Sequence, residues 1–168
     1  MSSFETDRHC HLLLAPQGPV YSLGTYNSMR ECEQSGGYNM QSLNAIQLRE
    51  MVETKYFGNV DMKFLEATAD CFDPDATFTI QTANLTHNGI SEIRRMFNDF
   101  FSSYKKIWHG EFHHVIDIER QAVAVQFIAT RDTFDGEHQR ASNCNFFHFE
   151  NGKIKTVRVY MSDENPLV

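Results

Sequence analysis

A chain of 168 residues, 41% of them hydrophobic and fourteen of them phenylalanine, has the length and apolar content of one folded domain with an aromatic interior. Its formal net charge of −7 excludes a nucleic-acid binder, which needs a basic face; Arg94-Arg95 and Lys105-Lys106 are isolated pairs. No stretch approaches the ~20 apolar residues that span a bilayer, and the opening MSSFETDRHCHLLLAP lacks the cationic start and long apolar run of a secretory signal. Neither nucleic acid nor membrane is therefore an expected partner. Cys10, Cys32, Cys71 and Cys144 have no metal or redox spacing and are read as reduced thiols of a cytoplasmic protein.

Residues 1–42 are rich in Ser, Gly, Gln, Asn and Glu and show no sustained period, which predicts a loosely ordered extension with one short helix near residues 27–34. The triplet His9-Cys10-His11 has no second ligand pair near it and is read as part of an exposed tail. Met40, just ahead of the patterned region, is a candidate native start. From Leu43 to Phe57, Leu43, Ile46, Met51, Val52, Tyr56 and Phe57 recur at helical spacing, with Gly58-Asn59 as a stop. Asp61 stands where an N-cap would open a second helix, with Phe64, Leu65, Thr68 and Phe72 as its buried stripe and Pro74 as its end. The segment DATFTIQTA reads as a strand. A third helix over ISEIRRMFNDFFSSY, opened by Ser91 and Glu92, carries Ile90, Ile93, Met96, Phe97, Phe100 and Phe101 on one face.

Four strands follow, over residues 107–118, 122–134, 138–150 and 153–161. They are joined by a turn at Glu119-Arg120-Gln121 and by Asp135-Gly136 and Asn151-Gly152, dipeptides that favour hairpins because both residues accept positive φ. The fold class is α+β. If both dipeptides form two-residue turns, one sheet face collects Val123, Val125, Phe127, Ala129, Arg131, Ser142, Cys144, Phe146, Val157, Val159 and Met161 and packs under the helices. The other face is polar with exposed aromatics, and predicts a homodimer through the outer side of the sheet. The register of the first long strand stays open. A three-residue loop puts His109, Glu111, His113, Val115 and Asp117 inside, and a two-residue turn puts Trp108, Phe112 and His114 there instead.

The segments KYFGNVDMKFL, FDPDATFTI, HNGISEIRRMFNDFF, IDIERQAVAVQF and NFFHFENGKIKTVRVYMSDENPL together resemble a SnoaL-like member of the nuclear transport factor 2-like superfamily. The resemblance covers residues 43–168 and implies a cone-shaped fold, three helices packed on a curved, mainly antiparallel sheet with a pocket between. It also implies chemistry without a cofactor. The subgroup resembling scytalone dehydratase and lindane dehydrochlorinase uses an Asp–His dyad, matched here by Asp61 and His109. A neutral imidazole can remove a proton in a dry pocket while a carboxylate fixes its tautomer.

The Arg–Asp–Asp set of enzymes resembling limonene epoxide hydrolase is incomplete, because Thr133 and Val159 stand where the aspartates would be. A ketosteroid-isomerase-like oxyanion donor could be Tyr56. The expected site is His109 as base, Asp61 as its orienting partner and Arg131 as anion stabiliser. Its lining is Tyr56, Phe78, Glu111, His113, Phe127, Phe146, Val157, Val159 and Met161, around a small hydrophobic molecule. Two alternatives remain. One is a non-catalytic ligand-binding or dimerisation module. The other is a metal site on the WHGEFHH strand through His109, Glu111 and His113, which alternate onto one face of a regular strand but spread over ~13 Å.

Overall fold

The computed structural model describes residues 42–162 and 166–167. The expectations for residues 27–34, for His9-Cys10-His11 and for the thiols of Cys10 and Cys32 lie outside the described residues. A helical run opens with α1 (Ala45–Glu50), continues through a π-helical segment (Met51–Phe57) and closes with α2 (Gly58–Asp61). Asn44 starts it with a capping box, its side chain accepting from the Gln47 amide while the Gln47 side chain accepts from the Asn44 amide. The buried residues of the π segment are Met51, Val52, Tyr56 and Phe57. They form two apolar pairs five positions apart, the repeat of an i→i+5 helix. Gly58-Asn59 does not stop the run, since Gly58 stays helical at φ −59°; the break comes at Lys63, with φ +56°.

The second helix, α3 (Leu65–Ala69), is shorter than expected, and Asp61 is no N-cap: it closes the helix before. Ile46 and Phe64, both expected on buried stripes, are exposed. Strand β1 (Phe72–Ile80) runs straight through Pro74, which lies in the irregular stretch between Phe72 and Thr77 where no ladder pairing is required of it. A short β2 (Leu85–Asn88) precedes α4 (Gly89–Ser103), where the Asn88 amide donates to the Glu92 carboxylate at 2.7 Å. The long helix buries Ile93, Met96, Phe97, Phe100 and Phe101 on one side, the predicted stripe.

The chain then forms β3 (Lys106–Asp117), β4 (Ala122–Asp132), β5 (His138–Glu150) and β6 (Lys153–Met161). The six strands lie in the order β2-β1-β6-β5-β4-β3, antiparallel throughout except for the parallel β1–β6 pair. This is the expected α+β cone: three helical runs on a mainly antiparallel sheet.

Register departs from expectation at three places, and each moves side chains between faces. Between β4 and β5, Thr133 and Glu137 still pair, the Thr133 amide donating to the Glu137 carbonyl at 3.0 Å. The loop is therefore Phe134–Gly136, three residues with Gly136 at φ +95°, and not a two-residue turn. Asn143 and Asn145 thus pair with Phe127 and Val125. They take the inner face, together with Phe147 and Phe149, while Ser142, Cys144 and Phe146 turn outward. Asn151-Gly152 does form a two-residue turn, with Glu150 opposite Lys153, but an irregularity between His148 and Phe149 skips Lys155 and returns Val157 and Val159 to the inside.

The third departure is in β3. Its turn holds four residues, since Asp117 pairs with Ala122, so His114 and Ile116 fall opposite Val125 and Val123 on the inner side. A bulge between Gly110 and His113, with Glu111 at φ +55°, then inserts one extra residue, and beyond it Ile107 and His109 face inward opposite Arg131 and Ala129. Trp108 goes outward and lies over Gly110, where an added Cβ would run into the indole.

Candidate active site

Two irregular pieces of backbone bring the first pair of polar groups together. Asp61 ends α2, where the negative end of the helix dipole disfavours a carboxylate, so helix formation gives no reason for an acid there. Its partner gives one. The His109 backbone N–H donates to Asp61 Oδ2 at 3.1 Å, and His109 Nδ1 lies 2.5 Å from Asp61 Oδ1. A carboxylate accepts only, so Nδ1 carries a proton, and in the neutral ring Nε2 is the nitrogen that keeps its lone pair. The imidazole is packed between rings, 4.7 Å from Phe57 and 5.5 Å from Phe127 between centroids. Its side chain is 9% exposed.

His109 faces a cavity of about 40 Å³ lined by Tyr56, Phe57, Val60, Phe78, Phe97, Phe100, Phe127, Ala129, Arg131, Asn143, Asn145, Val159, Met161, Pro166 and Leu167. The space is smaller than the deep pocket implied by the family resemblance, because the ring cluster and Leu167, packed on the core, occupy the rest. A volume of this size admits water; a larger ligand takes space from its neighbours. Tyr56 is fully enclosed, and burial holds its phenol protonated far beyond the usual tyrosine range. Arg131 lies with its guanidinium 5.4 Å from the Tyr104 ring centroid, a cation–π contact. Neither Glu111 nor Asp61 pairs with it.

Of the predicted residues, Asp61 and His109 meet, and Arg131, Tyr56, Phe78, Phe127, Val159 and Met161 share the cavity with His109. Val157 is buried opposite Phe78 in the sheet, but behind the lining. Glu111, His113 and Phe146 are corrections. The bulge leaves Glu111 and His113 exposed on the outer side, and the three-residue loop does the same to Phe146. With them goes the metal alternative, since His109 points in while Glu111 and His113 point out. Among the described residues no three His, Cys, Asp or Glu groups are placed to hold an ion.

Phe57, Val60, Phe97, Phe100, Asn143 and Asn145 are lining residues that the sequence reading left out. Phe97 and Phe100 carried a signal in the helical stripe; the asparagines carried one only if the loop length was known. His114, also inward, sits 3.4 Å from the Glu53 carboxylate, in ion-pair range but without hydrogen-bond geometry. Burial pushes its pKa below the ordinary value, with Glu53 opposing.

The architecture and the enclosed acid–imidazole pair define an α+β cone with a small pocket between helices and sheet. The sequence model of the SnoaL-like domain matches residues 54–157, more than half of the chain, and the protein belongs to that family. Solved structures with this fold include SalBIII, an epoxide hydrolase/cyclase-like enzyme of pyran ring formation in the polyether salinomycin. It is 20% identical, with a TM-score of 0.63 over 70% of this chain and 92% of that one. A proposed isomerase from Bacillus subtilis is 15% identical, TM-score 0.64, over 71% and 90%. AusH from Aspergillus nidulans is 10% identical, TM-score 0.63, over 74% and 90%. At these identities the likeness is one of fold. No curated protein matches by sequence. Among the described residues no helix is long and apolar enough to cross a membrane.

Proposed function

We propose that the protein is a cofactor-independent lyase or isomerase that removes a proton from a carbon acid held in the inner cavity. The observation that carries this reading is the 2.5 Å contact between Asp61 and the ring of His109, with the opposite ring nitrogen free to face the cavity. In the step, Nε2 of His109 takes a proton from a carbon next to a carbonyl. The electron pair of the broken C–H bond forms a C=C bond, and the carbonyl π electrons move onto oxygen. Asp61 stabilises the imidazolium, and Arg131 stabilises the oxyanion. The imidazolium returns its proton to the same carbon, to another carbon, or to a departing hydroxide, which gives exchange, isomerisation or dehydration.

A hydrophobic, cyclic carbonyl compound fits the phenylalanine lining, taking the place of Leu167 at the wall. Incubation with 2-tetralone in D2O should show enzyme-dependent deuterium uptake at the carbon between ring and carbonyl. His109→Ala should abolish that uptake while the circular-dichroism spectrum stays unchanged. Uptake unaltered in the variant excludes His109 as the base.

A second observation favours self-association. Val115, Phe146, Tyr160 and Trp108 are 73%, 46%, 43% and 41% exposed on the outer side of the sheet, beside an open groove of about 1000 Å³ that also carries Asp117 and Arg158. A patch with aromatics and both signs of charge suits the same patch on a second copy. In sedimentation, the protein should run as a dimer and Phe146→Glu as a monomer; a monomeric parent removes this reading. A cytoplasmic location belongs to the same proposal, since the thiols of Cys71 and Cys144 are free, as in a reducing compartment.

A further inference from the structure

Arg131, Asn143 and Asn145 are 4%, 8% and 3% exposed, and all three line the cavity that His109 faces. Arg131 Nε, Asn143 Oδ1 and Asn145 Oδ1 have no hydrogen-bond partner among the described residues. Buried polar atoms are almost always paired, because removal from water without replacement bonds is unfavourable. Three orphans around one small cavity are therefore an address for something that enters it. They are of two kinds. The two amide oxygens accept hydrogen bonds, and the guanidinium nitrogen donates one to a carbonyl or an anionic oxygen.

The spacing narrows the ligand further. Asn143 and Asn145 are two apart on one strand, pairing with Phe127 and Val125 across β4, so their backbone positions lie ~7 Å apart on the same face. One six-membered ring bearing two hydroxyls covers that span once hydrogen-bond lengths are added; being larger than the ~40 Å³ space, it enters by displacing neighbouring side chains of the wall. The remaining lining, from Phe57, Phe78, Phe97 and Phe127, takes the ring itself.

We propose that Asn143, Asn145 and Arg131 form a recognition wall that selects cyclic compounds with at least two oxygen substituents over hydrocarbons of the same size. The proposal rests on the functional reading above for its choice of cavity, and it narrows that reading's cyclic carbonyl compound to one that carries at least two oxygen substituents.

The test uses the full chain and two probes of similar size, resorcinol and toluene, followed by calorimetry and by the side-chain amide signals of the two asparagines in 15N-labelled protein. Resorcinol should bind at least tenfold more tightly than toluene and shift both amide signals. Asn143→Leu and Asn145→Leu should each reverse the preference and raise the melting temperature, because a shape-matched apolar group replaces an unpaired acceptor. Asparagines that serve the fold would instead lower it. Equal affinities, unmoved amide signals, binding of neither probe (a cavity that holds only water) or a lowered melting temperature in both variants overturns the wall. Resorcinol binding without proton exchange leaves the wall standing and removes the catalytic reading. Exchange with no preference between probes does the reverse.

Discussion

Asp61→Asn should slow deuterium uptake into 2-tetralone by about three orders of magnitude while leaving the fold intact. The substitution keeps shape and one acceptor, so the bond from the His109 backbone N–H can persist. What it removes is the charge beside the ring nitrogen. Two unit charges ~4 Å apart interact by roughly 4 kcal/mol at an effective dielectric constant of about 20, and each ~1.4 kcal/mol of transition-state stabilisation is about a tenfold change in rate. The amide also carries a donor. Turned toward Nδ1, it moves the ring proton to Nε2 and blocks the lone pair that should take the substrate proton. Asp61→Ala separates the two effects, because it removes the charge without bringing a donor that can turn toward Nδ1. A rate within twofold of the parent would show that Asp61 has no part in the chemistry.

Phe57→Ala should lower the stability of the chain by about 3–5 kcal/mol, the usual range for a buried phenylalanine cut back to its Cβ. Phe57 is 2% exposed and is the hub of the ring cluster. Its centroid lies 4.8 Å from Tyr56, 5.1 Å from Phe112, 4.6 Å from Phe127 and 4.7 Å from His109. Truncation empties the space between the helical run and the sheet and removes one of the two rings that hold the imidazole. Denaturant unfolding gives the stability, and the exchange assay should fall with it even in the fully folded variant. Ile46→Ala is the control: on a side chain of α1 that is 71% exposed and lies outside the outer-face patch, it should change stability by no more than ~0.5 kcal/mol. Equal losses in the two variants would mean that the ring cluster is not the centre of the core.

The order of elements (β2 apart) and the α4 stripe were legible in the sequence because each rests on a period or a turn signal that local chemistry enforces; the Asp61–His109 pairing was expected only from the family resemblance, since by its own context Asp61 read as an N-cap. Face assignment was less so, because it depends on parity, and one residue more or less in a turn inverts it. Asp135-Gly136 signals a hairpin equally well whether the glycine sits in a two-residue turn or at the αL position of a three-residue loop. The wrong choice put Phe146 inside and Asn143 and Asn145 outside. At His109 two unforeseen offsets cancelled: a four-residue turn placed even-numbered residues inside, and the Glu111 bulge restored the odd-numbered ones. The same bulge then separated His109 from Glu111 and His113. No propensity in GEF announces such a bulge. It shows only through tertiary pairing, where Trp108 finds room over Gly110.

The π-helical stretch before Asp61 and the bulge after His109 share a property, in that each holds one more residue than its regular counterpart. Shortening the first to an ordinary α-helix would swing everything downstream by about 100° around the axis, and Asp61 with it. Trimming the second would send His109 through the sheet to the solvent side. The two halves of the pair are thus tied to segment length as well as to residue identity, so in this stretch of chain single-codon deletions should be harsher on the site than most substitutions.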